Sequence, residues 1–220
     1  MNLNFHLLDE KISFEDAKIL VIEDCRVFAE LVKECYYYSG EGKVKLFDTK
    51  QTLLKPAEML LVSDLLSFDL NSTTVLKQVY LDLENQMNEV PEVKYTIEHL
   101  AANISDIIAE QLVESELMLT YDEITVLELI KALGVKIDDS SISHFDKLLD
   151  ILKLFKYLSK RKLLIFVNVA SYFSAEELGI IFEQIQLLQL EVWFLEPRKI
   201  EGFRQYCLDQ DYILMLENMV

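Results

Sequence analysis

The sequence predicts an α/β fold in which a parallel sheet is built from both ends of the chain, with a helical insertion between them. Short apolar runs of strand length occur in the first 70 residues and again after residue 160. Between them, helix-capping signals and apolar residues at helical spacing continue without a break. Strands separated by helices favour parallel pairing through right-handed crossovers. The predicted discontinuous head spans 1–71 and 161–220, and the predicted helical arm spans 72–160.

The first part of the head is predicted from two buried strands, one half-exposed strand and one helix. Residues 18–22, which after Lys18 are all apolar, and residues 59–62 are short runs with the apolar character of a buried strand. Residues 43–47 alternate polar and apolar side chains, which indicates a strand with one exposed face. A helix is expected over 23–38, with its apolar residues on one face.

The arm is predicted from four consecutive helices. The polar residues 71–74 cap a first helix that continues to about residue 88, and Pro91 begins a longer one. Thr120 and Glu123 have the spacing of a capping box for a third helix. Ser143 and Asp146 resemble a capping box, with Asp in the N3 place, that opens the fourth helix.

The strand signal returns after the arm and completes the predicted head. Residues 163–167 form a run buried on both faces, and Ser174 caps a helix that follows it. Residues 190–195 and 212–215 are the last two predicted strands.

Composition limits the classes of partner. The chain of 220 residues carries 38 acidic against 21 basic residues, a formal net charge of −17, so its average surface repels nucleic acid and anionic membranes. A DNA-binding role therefore requires lysines gathered on one concave face.

Half of the residues are apolar, which favours a subunit interface, yet no apolar run has the length of a membrane span. Three cysteines without ligand spacing fit a reduced cytoplasm.

No intact catalytic motif is present, so no catalytic residue is predicted. The turn after the strand 18–22 is where a P-loop protein carries the glycines that surround phosphate, and here it reads Glu23-Asp24-Cys25. The strand 163–167, which could end in a magnesium-binding aspartate, ends at Asn168. The three histidines are dispersed, and neither a nucleophile elbow nor a dinucleotide fingerprint occurs. The sequence favours binding over chemistry.

Acidic residues are most concentrated over 114–128, where a short turn between two predicted helices can bring several carboxylates together. Hard oxygen ligands in such number favour calcium over zinc. The alternative is that Asp122 and Glu123 simply stabilise the positive end of a helix.

Basic residues form two clusters, each of which is either a solvated face or the lining of a groove. One consists of Lys43, Lys45, Lys50 and Lys55, and the other lies within 153–162. Lys131 and Lys136 flank the end of the third predicted helix.

Several long segments, in order from the first residue to the last, resemble the small adaptation protein of type II-A CRISPR systems. This family is encoded beside an RNA-guided nuclease and an integrase. The segments that carry the resemblance are MNLNFHLLDE, ILVIED, SFDLNSTT, YDEITVLELIKALGVK, FKYLSKRKLLIFVN, FLEPR and DYILMLENMV.

The resemblance implies a calcium-binding, ring-shaped homotetramer with an α/β head related to P-loop ATPases, helical arms and no nucleotide hydrolysis. Its basic inner surface would thread double-stranded DNA through the DNA ends without sequence preference, in support of spacer acquisition. Carried onto this sequence, it implies calcium ligands at Glu116, Asp122, Glu123 and Glu128. It implies phosphate contacts at Lys131, Lys136, Lys153 and Lys156.

Two other hypotheses stay open at this stage. The strand-to-helix order also fits an NTPase or phosphotransferase with an atypical site, although the turn at 23–25 lacks glycine. A scaffold that recruits adaptation partners and never contacts DNA is the third hypothesis.

Overall fold

The computed structural model describes residues 1–8, 11–14, 18–140, 143–158 and 160–217. The chain divides into two compact units, the first made of Met1–Phe68 with Ser140–Val220 and the second of Asp69–Asp139. The strands are β1 (Asn2–Phe5), β2 (Ile12–Ser13), β3 (Ile19–Ile22), β4 (Val44–Phe47), β5 (Met59–Val62), β6 (Leu163–Val167), β7 (Val192–Glu196), β8 (Gln205–Leu208) and β9 (Leu214–Glu217). The helices are α1 (Cys25–Tyr36), α2 (Thr73–Glu89), α3 (Pro91–Val113), α4 (Val126–Ala132), α5 (His144–Tyr157) and α6 (Ala175–Leu187), with 3₁₀ turns at Pro56–Glu58 and Ala170–Tyr172.

A six-stranded sheet organises the first unit, and this confirms the predicted α/β class. Its strand order is β5-β6-β7-β3-β8-β9, with parallel pairing throughout except for the antiparallel edge pair β8 and β9. Strands from both ends of the chain meet at the centre, where β3 pairs with β7 and β8. Strands β3, β6, β7 and β8 are buried along their whole length, and β3 and β6 accordingly read as continuous apolar runs rather than alternating ones.

Helices lie on both faces of this sheet. Val27 and Leu31 of α1 pack into the cluster that contains Trp193 of β7. On the opposite face of the same strand, the ring of Phe182 in α6 lies 5.3 Å from that of Phe194. Strand β7 therefore has apolar cover on both of its faces.

A second, three-stranded antiparallel sheet in the order β2-β1-β4 closes the core on the α1 side. The pattern of β4, buried then exposed, confirms the predicted half-exposed strand. The Phe14 and Trp193 rings stack at a centroid distance of 3.8 Å, which joins the chain after β2 to β7. Strands β1, β2 and β8 were missed by the sequence analysis.

The helix α5 belongs to the first unit, whereas the predicted arm of 72–160 includes it. Leu148, Ile151, Leu152 and Phe155 on its apolar face are buried, and α5 contacts α6. Its predicted cap is confirmed, because the Ser143 hydroxyl accepts a hydrogen bond from the N–H of Asp146 at 3.0 Å. Apolar residues at helical spacing predict a helix, but they do not indicate which of the two units that helix packs into.

The second unit consists of α2, α3, α4 and the segments around them. Two hydrogen bonds link the first and last residues of this unit. The Asn71 side chain donates to the carbonyl of Ile137 at 3.0 Å and accepts from the N–H of Ile137 at 2.8 Å. The Tyr80 hydroxyl adds a hydrogen bond of 2.8 Å to the carbonyl of Val135.

Much of the apolar surface of α3 is exposed. Val93, Leu100, Ile104, Ile107 and Ile108 are each about half exposed or more, although they repeat at helical spacing. None of the helices in the described part of the chain combines the length and apolar content that crossing a bilayer requires.

The predicted start of the third arm helix is wrong. Thr125, and not Thr120, caps α4, and Glu128 completes the capping box in place of Glu123. Both pairs have the S/T-x-x-E spacing, but only the second is followed directly by the buried residues Val126 and Ile130. The residues from 114 to 124 lie outside the helices.

The last strand begins two residues later than predicted. Asp209 closes a turn by accepting hydrogen bonds from the N–H groups of Asp211 and Ile213, both at 2.9 Å. Tyr212, the predicted first strand residue, has a φ of 62° within this turn, which no strand residue adopts.

The buried Tyr38 hydroxyl links the chain after α1 to β4. It donates to the carbonyl of Leu54 at 3.0 Å and accepts from the N–H of Leu46 at 3.3 Å. We expect Tyr38→Phe to lower the free energy of unfolding by about 1–3 kcal/mol, because the Leu46 N–H loses its partner inside the core. Urea unfolding followed by circular dichroism measures this. The matched control is Tyr37→Phe, at a residue that is 72% exposed; an equal cost in both variants would contradict the assignment.

Candidate functional site

The carboxyl ends of β3, β6 and β7 meet at one edge of the large sheet, because these strands are parallel neighbours. In open α/β sheets, ligands bind at this edge, at the point where the chain connections diverge. Such a point lies between β3 and β7 here. The chain leaves β3 to reach β5 at one end of the sheet, and leaves β7 to reach β8 on the other side of β3.

The turn between β3 and α1 is occupied by the protein's own carboxylate. Asp24 caps α1, and its Oδ1 atom accepts hydrogen bonds from the N–H groups of Arg26 at 2.8 Å and Val27 at 3.0 Å. These two hydrogen bonds hold the pKa of Asp24 below its usual range, and the bond from Val27 has the larger effect. The donors that bind phosphate in a P-loop are thus already satisfied by an anion.

A small ion-pair network joins Glu23 to the last strand. The Lys199 Nζ atom lies 2.6 Å from Glu217 Oε1 and 3.4 Å from Glu23 Oε1. The hydrogen bond to Glu217 is the main cause of the raised pKa of Lys199. Burial raises the pKa of the neighbouring Cys207 thiol to about 11. The charge of this lysine is therefore compensated within the protein.

Glu196, at the end of β7, is the most unusual side chain at this edge. It is only 2% exposed, and its Oε1 atom accepts hydrogen bonds from the N–H groups of Val169 and Ala170, both at 2.9 Å. Burial raises the pKa of Glu196 to about 7 despite these two bonds. Asn168, which precedes the two donors, has a left-handed φ of 52° that turns the chain away from β6.

Sequence reasoning missed Glu196 as a functional candidate. The available signal was a glutamate followed by proline directly after an apolar strand run, within the segment FLEPR. A charged side chain in that position sits at the carboxyl edge of a parallel strand, where ligands bind.

A cavity of about 750 Å³ opens at this edge within the first unit. Its walls come from the segments that follow β3, β6 and β7 and from the start of α6. Glu196 and Asn168 line it together with apolar residues such as Phe28, Phe173 and Leu178. This size lies within the usual range of small-ligand sites.

The four predicted calcium ligands lie in the second unit. Glu116, Asp122 and Glu123 are exposed and have no hydrogen-bond or ion-pair partner among the described residues. The Glu128 Oε2 atom is used in the capping box, where it accepts from the N–H of Thr125 at 2.8 Å and from its hydroxyl at 2.7 Å. Over the described ranges, no three acidic, histidine or cysteine side chains are grouped as a metal site. The calcium site stays a prediction.

The four predicted DNA-contacting lysines are exposed and divide between the two units. Lys131 lies in α4 and Lys136 follows it, whereas Lys153 and Lys156 lie in α5. Lys153 Nζ forms an ion pair of 3.0 Å with Asp150 Oδ1. The other three have no hydrogen-bond or ion-pair partner in the part of the chain that the structure describes. Their role stays a prediction.

Together, the fold and this edge define an open, mostly parallel α/β protein whose first strand-to-helix turn lacks a phosphate-binding loop. A family model described as "CRISPR-associated protein (Cas_Csn2)" matches residues 37–212. The chain therefore belongs to the Csn2 family of CRISPR-associated proteins, which confirms the resemblance found in the sequence.

Relatives cover the chain from end to end. It is 48% identical over 220 residues to the CRISPR-associated protein Csn2 of Streptococcus agalactiae, with 100% of both chains covered. It is 46% identical over 217 residues to the CRISPR-associated protein Csn2 of Enterococcus faecalis, with 99% of both chains covered. The crystal structure of Stu0660 of Streptococcus thermophilus matches all of this chain and 76% of that one, with a TM-score of 0.50 and 15% identity. At that identity the likeness concerns the fold alone.

Proposed function

We propose that this chain is a CRISPR adaptation protein that binds and encircles double-stranded DNA ends without sequence preference. In this proposal it works in the cytoplasm as a calcium-stabilised homotetramer and supports spacer acquisition. It carries out no catalysis and acts beside the RNA-guided nuclease and integrase of the same system. The observation that carries the proposal is the end-to-end similarity to Csn2 proteins, at 46–48% identity.

The exposed lysines support the DNA-binding part of the proposal. A chain with a net charge of −17 binds DNA only where cations are free to meet phosphates. Lys131, Lys136 and Lys156 are exposed and have no partner among the described residues, so no ion pair needs to break before they contact a phosphate.

The exposed apolar face of α3 supports self-association. Monomers rarely leave so many aliphatic side chains of one helix in water, and a subunit interface removes that cost. The free carboxylates of Glu116, Asp122 and Glu123 support the calcium part, since a hard cation needs several oxygens that the protein has not already used.

The main alternative, an NTPase or phosphotransferase with an atypical site, is disfavoured by Asp24. Its carboxylate occupies the helix N-terminus that would otherwise bind a phosphate group.

The experiment that tests the proposal compares linear with closed-circular double-stranded DNA of the same sequence, first with calcium and then with chelator. A ring that loads through DNA ends binds the linear form, fails to bind closed circles, and loses binding when calcium is removed. Gel-shift titrations measure all four conditions, and linearising the circles with a restriction enzyme is the internal control. Equal binding of both forms would contradict encirclement, and no binding of either would favour a scaffold that does not contact DNA.

A further inference from the structure

The cavity at the carboxyl edge of the large sheet has no role in the proposed DNA binding. It lies within the first unit at the divergence of the connections after β3 and β7, which is the usual ligand position in this type of sheet. The proposed function also gives Glu196 no role, although burying a carboxylate so that only 2% of the residue is exposed costs folding free energy.

The backbone donors around the cavity are already satisfied, so an anionic ligand would have to rely on the side chains of Arg198 and Lys199 or compete for these donors. The first turn of α1 donates to Asp24, and the N–H groups of Val169 and Ala170 donate to Glu196. At the start of α6, the N–H groups of Ser174 and Glu177 donate to each other's side chains in a capping box. A phosphate or carboxylate ligand that uses these donors would have to displace one of these oxygens.

The second oxygen of Glu196 is open to the cavity. Both hydrogen bonds of this side chain go to Oε1, and Oε2 has no partner among the described residues. No fully enclosed side-chain oxygen or nitrogen in the described ranges lacks a partner, so Oε2 must keep some accessible surface. Because Glu196 lines the cavity, that surface faces it.

Apolar side chains form part of the cavity wall, next to the charged side chains of Arg198 and Glu201. Phe28, Phe173 and Leu178 line the cavity, and Lys199 at its edge is compensated by Glu23 and Glu217. An aliphatic chain fits against the apolar side chains, and a cationic end group pairs with a buried carboxylate that has one free oxygen.

We propose that this cavity binds a primary alkylammonium group, with Glu196 as its anionic partner and the apolar side chains of the wall in contact with its methylene groups. Two sources offer this chemistry: a free aliphatic diamine, and a lysine side chain of a partner protein. The proposal is independent of DNA binding, and its test uses no DNA.

The test is calorimetric titration of the full-length protein with two probes, 1,5-diaminopentane and a short peptide with one central lysine and neutral ends. Saturable binding of either probe below about 10 mM supports the proposal. Binding of the diamine alone identifies a free amine as the ligand, and binding of the peptide alone identifies a partner's lysine. Pentanoate, which has the opposite charge, is the control ligand and is expected not to bind.

Glu196→Gln is expected to weaken the binding at least tenfold, since it removes the charge but keeps an oxygen for the Val169 and Ala170 N–H groups. Glu201→Gln is the matched control, because it removes the same charge from an exposed residue that also lines the cavity. Circular dichroism establishes that both variants fold. Equal affinity in Glu196→Gln and the unaltered protein, or saturable binding of neither probe, would overturn the proposal.

A second measurement needs only the unaltered protein. Because an ammonium group pairs with the ionised carboxylate, the affinity should rise roughly tenfold between about pH 6 and about pH 8, as Glu196 loses its proton. The other titratable groups lining the cavity are Glu23, Cys25, Arg198, Lys199 and Glu201. Titrations near pH 6 in two buffers of different ionisation enthalpy should reveal nearly one proton released per ligand bound. Proton uptake or no proton exchange would overturn the assignment of Glu196.

Discussion

Replacing Lys131, Lys136, Lys153 and Lys156 together by glutamate is expected to weaken binding of linear double-stranded DNA at least about a hundredfold. The affinity of a protein that contacts only the DNA backbone comes mainly from phosphate neutralisation. The slope of log affinity against log salt concentration should therefore decrease by about 0.9 for each phosphate that the variant no longer neutralises. Fluorescence anisotropy over a series of salt concentrations measures both quantities.

A matched quadruple variant separates a local effect from the general effect of charge. Lys33, Lys45, Lys50 and Lys55 are also exposed, and their replacement by glutamate makes the same change in net charge. If the two quadruple variants lose affinity equally, the proposed contacts are wrong and bulk repulsion explains the loss. Two double variants then locate the contacts. Loss of affinity on replacing Lys131 and Lys136 places them in the second unit, and loss on replacing Lys153 and Lys156 places them in the first.

The fold was predictable where local signals and burial agree. Residues 19–22 and 163–167 are apolar throughout, and such a run is typical of a strand buried on both faces. The helices with a capping residue directly before their buried face, such as α6 after Ser174, were also found. The strands β2 and β8 were missed because pairing with distant residues, not local pattern, makes them strands.

The arm shows a different limit of sequence reasoning. Thr120 with Glu123 and Thr125 with Glu128 have the same spacing, and only packing of Val126 and Ile130 selects the second pair. A capping signal states where a helix is able to begin, whereas tertiary contacts decide where it does begin. For the same reason, helical spacing in α3 indicated a helix but not that its apolar face is exposed.

The candidate site was only half predictable. The absence of glycine after β3 indicated that no phosphate loop exists, and Asp24 now supplies the physical reason. Glu196 was not predictable as a buried charge, because in the sequence it is one of 38 acidic residues. Its burial depends on pairing of β7 with β3 and β6, which no local pattern reveals.

Glu196→Gln is also expected to change how the stability of the protein depends on pH. Burial raises the pKa of this carboxyl from 4.5 to about 7 in the folded state. Between these two values the folded protein holds one proton more than the unfolded chain, so the contribution of Glu196 to stability falls as pH rises. The fall amounts to at most about 3 kcal/mol and is complete above about pH 7. The glutamine variant has no such proton to lose.

The difference in free energy of unfolding between Glu196→Gln and the unaltered protein should therefore shift in favour of the variant by up to about 3 kcal/mol between about pH 4.5 and about pH 8. Urea unfolding at several pH values, in chelator and without amines, measures it. Taking the difference cancels the other titrating groups that both proteins share. Glu201→Gln, at an exposed position, should give a nearly constant difference. A constant difference for Glu196→Gln as well would mean that this carboxyl is as well solvated in the folded state as in the unfolded chain.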